Sequence, residues 1–148
     1  KNIEGIDDYS IVGSYRRMKD DSGDIDVLIN SNNNILKEII DNGIKEGYII
    51  EILACKTIKF MGIVKLNDIA RRMDIMITNN NEYPFAQLYF TGSKEHNIMM
   101  RNKAKEKGYR LNEHNLIKIE NNEIVNEIKN EKEIFNFLNV KYVDPKFR

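Results

Sequence analysis

The apolar residues keep one period up to Thr78 and another after Pro84, and that switch limits what the chain can fold into. Before it come short β-type runs: "YSIV" (Tyr9 to Val12), "DIDVLIN" (Asp24 to Asn30), "YIIEILA", "IKFMGIVKL" and "IARRMDIMIT". Their alternation and their Ile and Val content predict strands. One helix interrupts them, in "NNNILKEIIDNGIKEG". There Ile35, Leu36, Ile39 and Ile40 fall at helical spacing, with Asn32 to Asn34 as cap candidates and Gly43 near the end. After Pro84 the spacing becomes helical. "PFAQLYF" predicts a short helix. "SKEHNIMMRNKAKEKG" predicts a longer one, capped by Ser93 and stopped by Gly108. "YRLNEHNLIKI" reads as a small hairpin, and "NEKEIFNFLNV" as a last helix with Asn130 and Glu133 in capping-box positions. Three consecutive strand-like runs extend the first two into one sheet. The expected class is α+β: a mixed, mostly antiparallel sheet with flanking helices over 1–91, then a small α+β unit over 92–148, divided at Thr91–Gly92.

The 23 basic and 23 acidic residues cancel, so no overall basic field is available to grip nucleic acid. The charge is uneven, however. Residues 1–74 carry 11 Lys/Arg against 13 Asp/Glu, and the window 94–110 carries six against two. That window predicts a local basic patch. The single cysteine, Cys55, excludes an internal disulfide and favours an intracellular compartment, nuclear or cytoplasmic. Its setting in "IIEILAC" predicts a buried structural thiol. No apolar run approaches the ~18 residues of a membrane-spanning helix, so no membrane partner is expected. The first residue is Lys1, as in a domain cut from a longer polypeptide. The Asn runs read as loops, with an AT-rich and even viral source left open.

The chemistry concentrates in "GSYRRMKDDSGDIDVLI", Gly13 to Ile29. Asp24 and Asp26 project from one face of a strand. Two such carboxylates repel unless something neutralises them, and a divalent cation with hard oxygen ligands does so. "ARRMDIMI" puts Met73, Ile75 and Ile77 on one face and Asp74 with Met76 on the other. If that strand neighbours the first, three aspartates converge, which is enough for a two-metal site acting on phosphorus. Upstream, Gly13-Ser14 ends a strand and opens a helical turn suited to phosphate oxygens. Arg16 and Arg17 add forked donors. A DxD pair alone is usually a solvated strand end. The joint pattern of Gly-Ser, a fixed gap, DxD and a third Asp is more specific.

That joint pattern resembles the nucleotidyltransferase superfamily, and within it the family X DNA polymerases of the DNA polymerase beta type. "GSYRR…SGDIDVLI", "RRMDIMI" and "LYFTGSKEHNIMMRNKAKEKGYRLNEH" carry the resemblance, with the ending "NEKEIFNFLNVKYVDPKFR". It runs from about Tyr9 to the end of the chain. The resemblance implies a palm followed by a thumb. It implies Asp24, Asp26 and Asp74 as ligands of two Mg²⁺ ions, for which Mn²⁺ can substitute. Gly13, Ser14, Arg17, Gly23 and Asp24 would meet the incoming triphosphate. Tyr89, Phe90 and Gly92 would border the sugar and disfavour a 2′-hydroxyl, with Gly92 as the thumb's hinge. Asn97 would reach the nucleotide's minor-groove edge. Arg72 would lie near the primer terminus, and Arg101 would face the template.

On the long helix Lys105 shares the face of Arg101, while Lys103 and Lys107 share another, expected to be solvated. The implied activity is DNA-directed DNA polymerisation of the repair, gap-filling type. Its partners would be a DNA primer-template or gapped duplex and a dNTP, and the protein would act as a monomer. Transfer to RNA or a small molecule, and a non-catalytic DNA-end-binding module, are the rival readings. Lys94 stands where the family often has Asp, and Met18 where it has Gly. His96 and His114 stand where aromatics are common, and a packed or exposed histidine fits them better than a zinc ligand. The family's lyase domain, helix-hairpin-helix clamps and first palm helix have no counterpart in these residues, so the main DNA grip is expected elsewhere.

Overall fold

A computed structural model describes residues 3–148. Strand β1 (Asp8–Ile11) leads through a one-turn helix α1 (Gly13–Arg16) to β2 (Asp24–Asn30). Helix α2 (Leu36–Lys45) follows, then β3 (Ile49–Cys55), β4 (Lys59–Leu66) and β5 (Ile69–Thr78). The five strands form one sheet in the order β1-β2-β5-β4-β3. Only β2 and β5 run parallel; the other three pairs are antiparallel. The predicted mixed, mostly antiparallel sheet is therefore present, with β5 inserted beside β2 rather than added at an edge.

Alternation assigns the two faces of the sheet. Ile29, Phe60 and Ile75 pack under Ile35, Leu36 and Ile40 at α2. Their sequence neighbours Leu28 and Met76 point the other way, onto Val12 and Ala86. The β4–β5 connection is two residues, Asn67 and Asp68, both with left-handed φ (50° and 64°). Asn and Asp tolerate that conformation, and it matches the twist of a tight hairpin.

Two local expectations are corrected. No side chain caps α2: Ile35 occupies the cap position, and Asn33 is held in a turn with the Ser31 hydroxyl. Gly43 falls near the end of α2, as expected, and the chain reverses at Gly47, whose φ is 79°. Cys55 is exposed, because β3 is a sheet edge with two register shifts and little covers it. Only the second half of β2 is buried, so its aspartates sit at the open end of the strand.

After Thr78 come α3 (Tyr83–Thr91), α4 (Lys94–Glu106), the small hairpin β6 (Tyr109–Leu111) and β7 (Leu116–Lys118), and α5 (Glu131–Phe137). Ser93 accepts the His96 N–H as the α4 cap, and Gly108 turns the chain at φ 83°. Asn130 accepts the Glu133 N–H at 3.1 Å, but Glu133 reaches back to the Lys129 N–H, not to that of Asn130. Phe85 and Leu88 of α3 join Met100, Leu116, Ile134 and Phe135 in a second core. Helix α3 thus belongs to both cores and couples them.

His96 is 7% exposed in that second core, and neither ring nitrogen has a hydrogen-bond partner. Its ring lies 5.8 Å from that of Phe135. Burial, and then the positive charge of Arg148, lower its pKa to about 4. The unfolded chain takes up this proton near the ordinary 6.5, so stability is full above that pH and is lost as pH falls toward about 4. The loss between pH 7 and pH 5 should be about 2 kcal/mol. In His96→Phe, urea unfolding should show that loss removed. The same pH dependence in both proteins would remove His96 as its source.

Candidate active site

Asp24 and Asp26 open β2, and the parallel register places Asp74 of β5 opposite Asp26, with Arg72 opposite Asp24. All four share the sheet face that carries Leu28 and Met76, as the alternation in "RRMDIMI" predicts. Burial, followed by the neighbouring charges of Asp74 and Asp24, raises the Asp26 carboxyl above its usual range. Arg72 offsets part of this, its Nε donating to Asp74 Oδ1 at 3.2 Å. Among the described residues no three His, Cys, Asp or Glu side chains are gathered into a finished metal cage, and Asp74 is turned toward Arg72. The donor set nevertheless fits Mg²⁺: three hard carboxylates share one face, and at Asp26 negative charge is incompletely compensated.

Gly13 closes on this cluster. Its φ is 65°, and a Cβ there would run into the Asp26 carboxylate. Both the conformation and the close approach require glycine. Ser14 shares a hydrogen bond with Ser22 across the loop, at 2.9 Å. Gly23 is exposed, with open space where a side chain would stand. A cleft of about 440 Å³ lies beside Asp24, bordered by Lys19, Ser22 and Arg71. The larger cleft, about 820 Å³, lies around Asn79 to Asn81 and includes none of the three aspartates.

The arginine pair divides its work. Arg16 is not free for phosphate, which corrects half of the predicted fork: both its terminal nitrogens bind Glu131, at 2.8 and 3.0 Å. Arg17 donates from Nη1 to the Thr91 carbonyl at 2.6 Å, and its buried Nε has no partner. Gly92 follows at φ 64°, and a Cβ on it would stand 3.2 Å from Arg17 Nη1. Tyr89 and Phe90 meet edge to face at 5.1 Å. Tyr89 is exposed, whereas Phe90 packs against the core at Val12, Leu28 and Met76. Asn97 donates to the Tyr89 carbonyl at 2.9 Å. Gly13, Ser14, Arg17 and Gly92 thus join the aspartates directly or through short links. Arg101 and Lys105 stand exposed on α4. Lys103 is paired with Glu106 at the surface, but Lys107 is not simply solvated: its ammonium donates to the Phe137 carbonyl at 3.1 Å. Lys94 is exposed at the start of α4.

Three residues central to this arrangement were given no role by the sequence reading: Thr91, Glu131 and Arg148. Glu131 stands in the first turn of α5, where an acidic residue reads as a solvated helix start.

The DNA polymerase beta palm family matches residues 2–80, and the DNA polymerase beta thumb family matches residues 86–148. This chain belongs to the family X DNA polymerases. Among family X relatives, the repair DNA polymerase X of African swine fever virus is 31% identical. That match covers 93% of this chain and 79% of the relative. DNA polymerase lambda of Rattus norvegicus is also 31% identical, over 90% of this chain but 27% of its own length. The chain therefore spans only about a quarter of that relative. Among solved structures, Leishmania infantum polymerase beta in a ternary P/T complex superimposes with a TM-score of 0.85 at 28% identity. It covers 95% of this chain and 66% of its own. The α+β sheet with flanking helices is thus that of a family X palm and thumb. No helix among the described residues is long and apolar enough to cross a membrane.

Proposed function

We propose that this chain is the palm (1–91) and thumb (92–148) of a DNA-directed DNA polymerase that fills gaps during repair. The observation that carries this is the placement of Asp24, Asp26 and Asp74 on one sheet face against the Gly13–Ser14 turn, in a family X chain. The primer 3′-hydroxyl would attack the α-phosphate of a dNTP and pyrophosphate would leave. Mg²⁺ held by the three aspartates, or Mn²⁺ in its place, would supply charge neutralisation and ease deprotonation of the hydroxyl.

The chain's own residues bind and orient. The backbone at Gly13, the Ser14 hydroxyl, Gly23 and the Arg17 guanidinium would hold the triphosphate. Exposed Tyr89, with Phe90 and Gly92, would wall the sugar. Asn97 would be aimed by its bond to the Tyr89 carbonyl. Arg72, beside Asp74, would meet the primer end. Positioning of this kind supplies much of the rate in phosphoryl transfer. Extension of a primer on a gapped duplex should require Mg²⁺ or Mn²⁺ and a dNTP. No extension, or equal transfer to RNA or to a small alcohol, would overturn the reading.

The exposed face of α4 gives a second expected result. Arg101→Glu should weaken binding to a gapped duplex and flatten its salt dependence, by about one released counterion for each phosphate that is no longer neutralised. Lys107→Glu should leave the salt slope unchanged, because that ammonium is tied to the Phe137 carbonyl. Binding measured across a salt series decides. Equal slopes in wild type and Arg101→Glu would turn this face away from DNA.

A further inference from the structure

Arg16, Glu131 and Arg148 form an ion network linking the proposed phosphate turn to the last helix. Glu131 receives two guanidinium groups, each in fork geometry. Arg16 binds it at 2.8 and 3.0 Å, and Arg148 at 2.9 and 3.0 Å. The Arg148 side chain is fully buried and Glu131 nearly so, whereas Arg16 keeps 20% exposure. Arg148 is fixed in turn. Its Nε donates to the Val143 carbonyl at 2.9 Å, and its guanidinium lies over the rings of Phe135 and Tyr142. The thumb thus holds Glu131 rigidly, and Glu131 offers one open fork to the palm.

Arg16 fills that fork from within the single turn that also carries Gly13 and Ser14 and precedes Arg17. A four-residue helix cannot shift one side chain's anchor without moving its neighbours. Thr91 adds a shared clamp. Its hydroxyl accepts from Arg16 Nη1 at 2.7 Å, and its carbonyl accepts from Arg17 Nη1 at 2.6 Å. The hydroxyl's own proton goes to the Gln87 carbonyl. One residue before Gly92, therefore, both arginines are held to the end of α3.

We propose that Arg16, acting through Glu131, is a positioning residue for the incoming nucleotide: it sets the Gly13–Ser14 turn and Arg17 at the height of the triphosphate. This rests on the polymerase reading above. The phosphates that do not react keep nearly the same charge in the ground and transition states. Misplacing their cradle therefore weakens both states alike, which raises KM and spares kcat.

The variant to test is Arg16→Met. It leaves Glu131 doubly bonded to Arg148, so no buried charge loses its last partner. Single-nucleotide extension should show the dNTP KM raised about tenfold and kcat within about threefold of wild type, with DNA affinity unchanged. Arg16→Lys restores the charge but not the planar fork, and should keep most of the KM defect. A purely structural role would instead lower the melting temperature and the active fraction while KM held. That outcome, or an unchanged KM beside an active wild type, overturns the positioning role alone. A wild type that extends no primer overturns the polymerase reading and this role with it.

Discussion

Asp74→Ala should lower primer extension roughly a thousandfold, the loss seen when a group that stabilises transition-state charge is removed. The fold should survive. Asp74 adds to the repulsion that raises the Asp26 carboxyl, so its removal relieves charge stress at the open end of β2. Against that stands the pair with Arg72, 3.2 Å apart and partly exposed, which is worth no more than about 1 kcal/mol. The two effects oppose, and the melting temperature should move little. Asp74→Asn keeps the shape and should be as inactive, because a neutral amide is a poor ligand for a divalent cation. Extension and thermal unfolding, measured on the same preparations, separate activity from folding. Extension within tenfold of wild type would remove Asp74 from the set of metal ligands.

The parts of this site written in local patterns were legible in the sequence. Alternation in "DIDVLIN" and "RRMDIMI" assigned each aspartate to its face, and the structure puts Leu28 and Met76 on that face with Ile29 and Ile75 on the other. Gly13 was legible as a point of close approach, but the sequence aimed it at phosphate, whereas in the structure it closes on the Asp26 carboxylate. Strand order was not legible. A period of two is the same for parallel and antiparallel neighbours, so periodicity could not place β5 beside β2, and only the family resemblance implied it. Cys55 misled because an apolar run reads as buried, yet an edge strand has a neighbour on one side only. The Asn run looked like a cap, but Asn33 found the Ser31 hydroxyl instead. Glu131 lay beyond reach altogether. Its partners are 115 and 17 residues away in the chain, and only folding brings them together.

Glu131 is accordingly where substitution should harm the fold most. Glu131→Ala leaves two guanidinium groups facing each other in the core with no counter-charge, and breaking such a buried group costs roughly 3–5 kcal/mol. Acid should reproduce part of this. Burial alone would raise the Glu131 carboxyl, but hydrogen bonds and charge from Arg16 and Arg148 outweigh it and hold the folded value below the ordinary 4.5. A carboxyl lowered by folding stabilises above its unfolded pKa, and that contribution is lost as pH falls through the folded value. At pH 5 the network should therefore be intact while most of the His96 contribution has gone. His96→Phe should remove the upper acid step and leave the lower one. Replacing all three members, Arg16, Glu131 and Arg148, by methionine should recover most of the stability lost in Glu131→Ala, since well-packed apolar groups often equal a buried ion network. The triple variant should still show the raised dNTP KM of Arg16→Met, because stability returns without the fork. Denaturant midpoints for the single and triple variants decide between these roles. Glu131→Ala within about 1 kcal/mol of wild type would mean that the network is too well hydrated to couple palm to thumb.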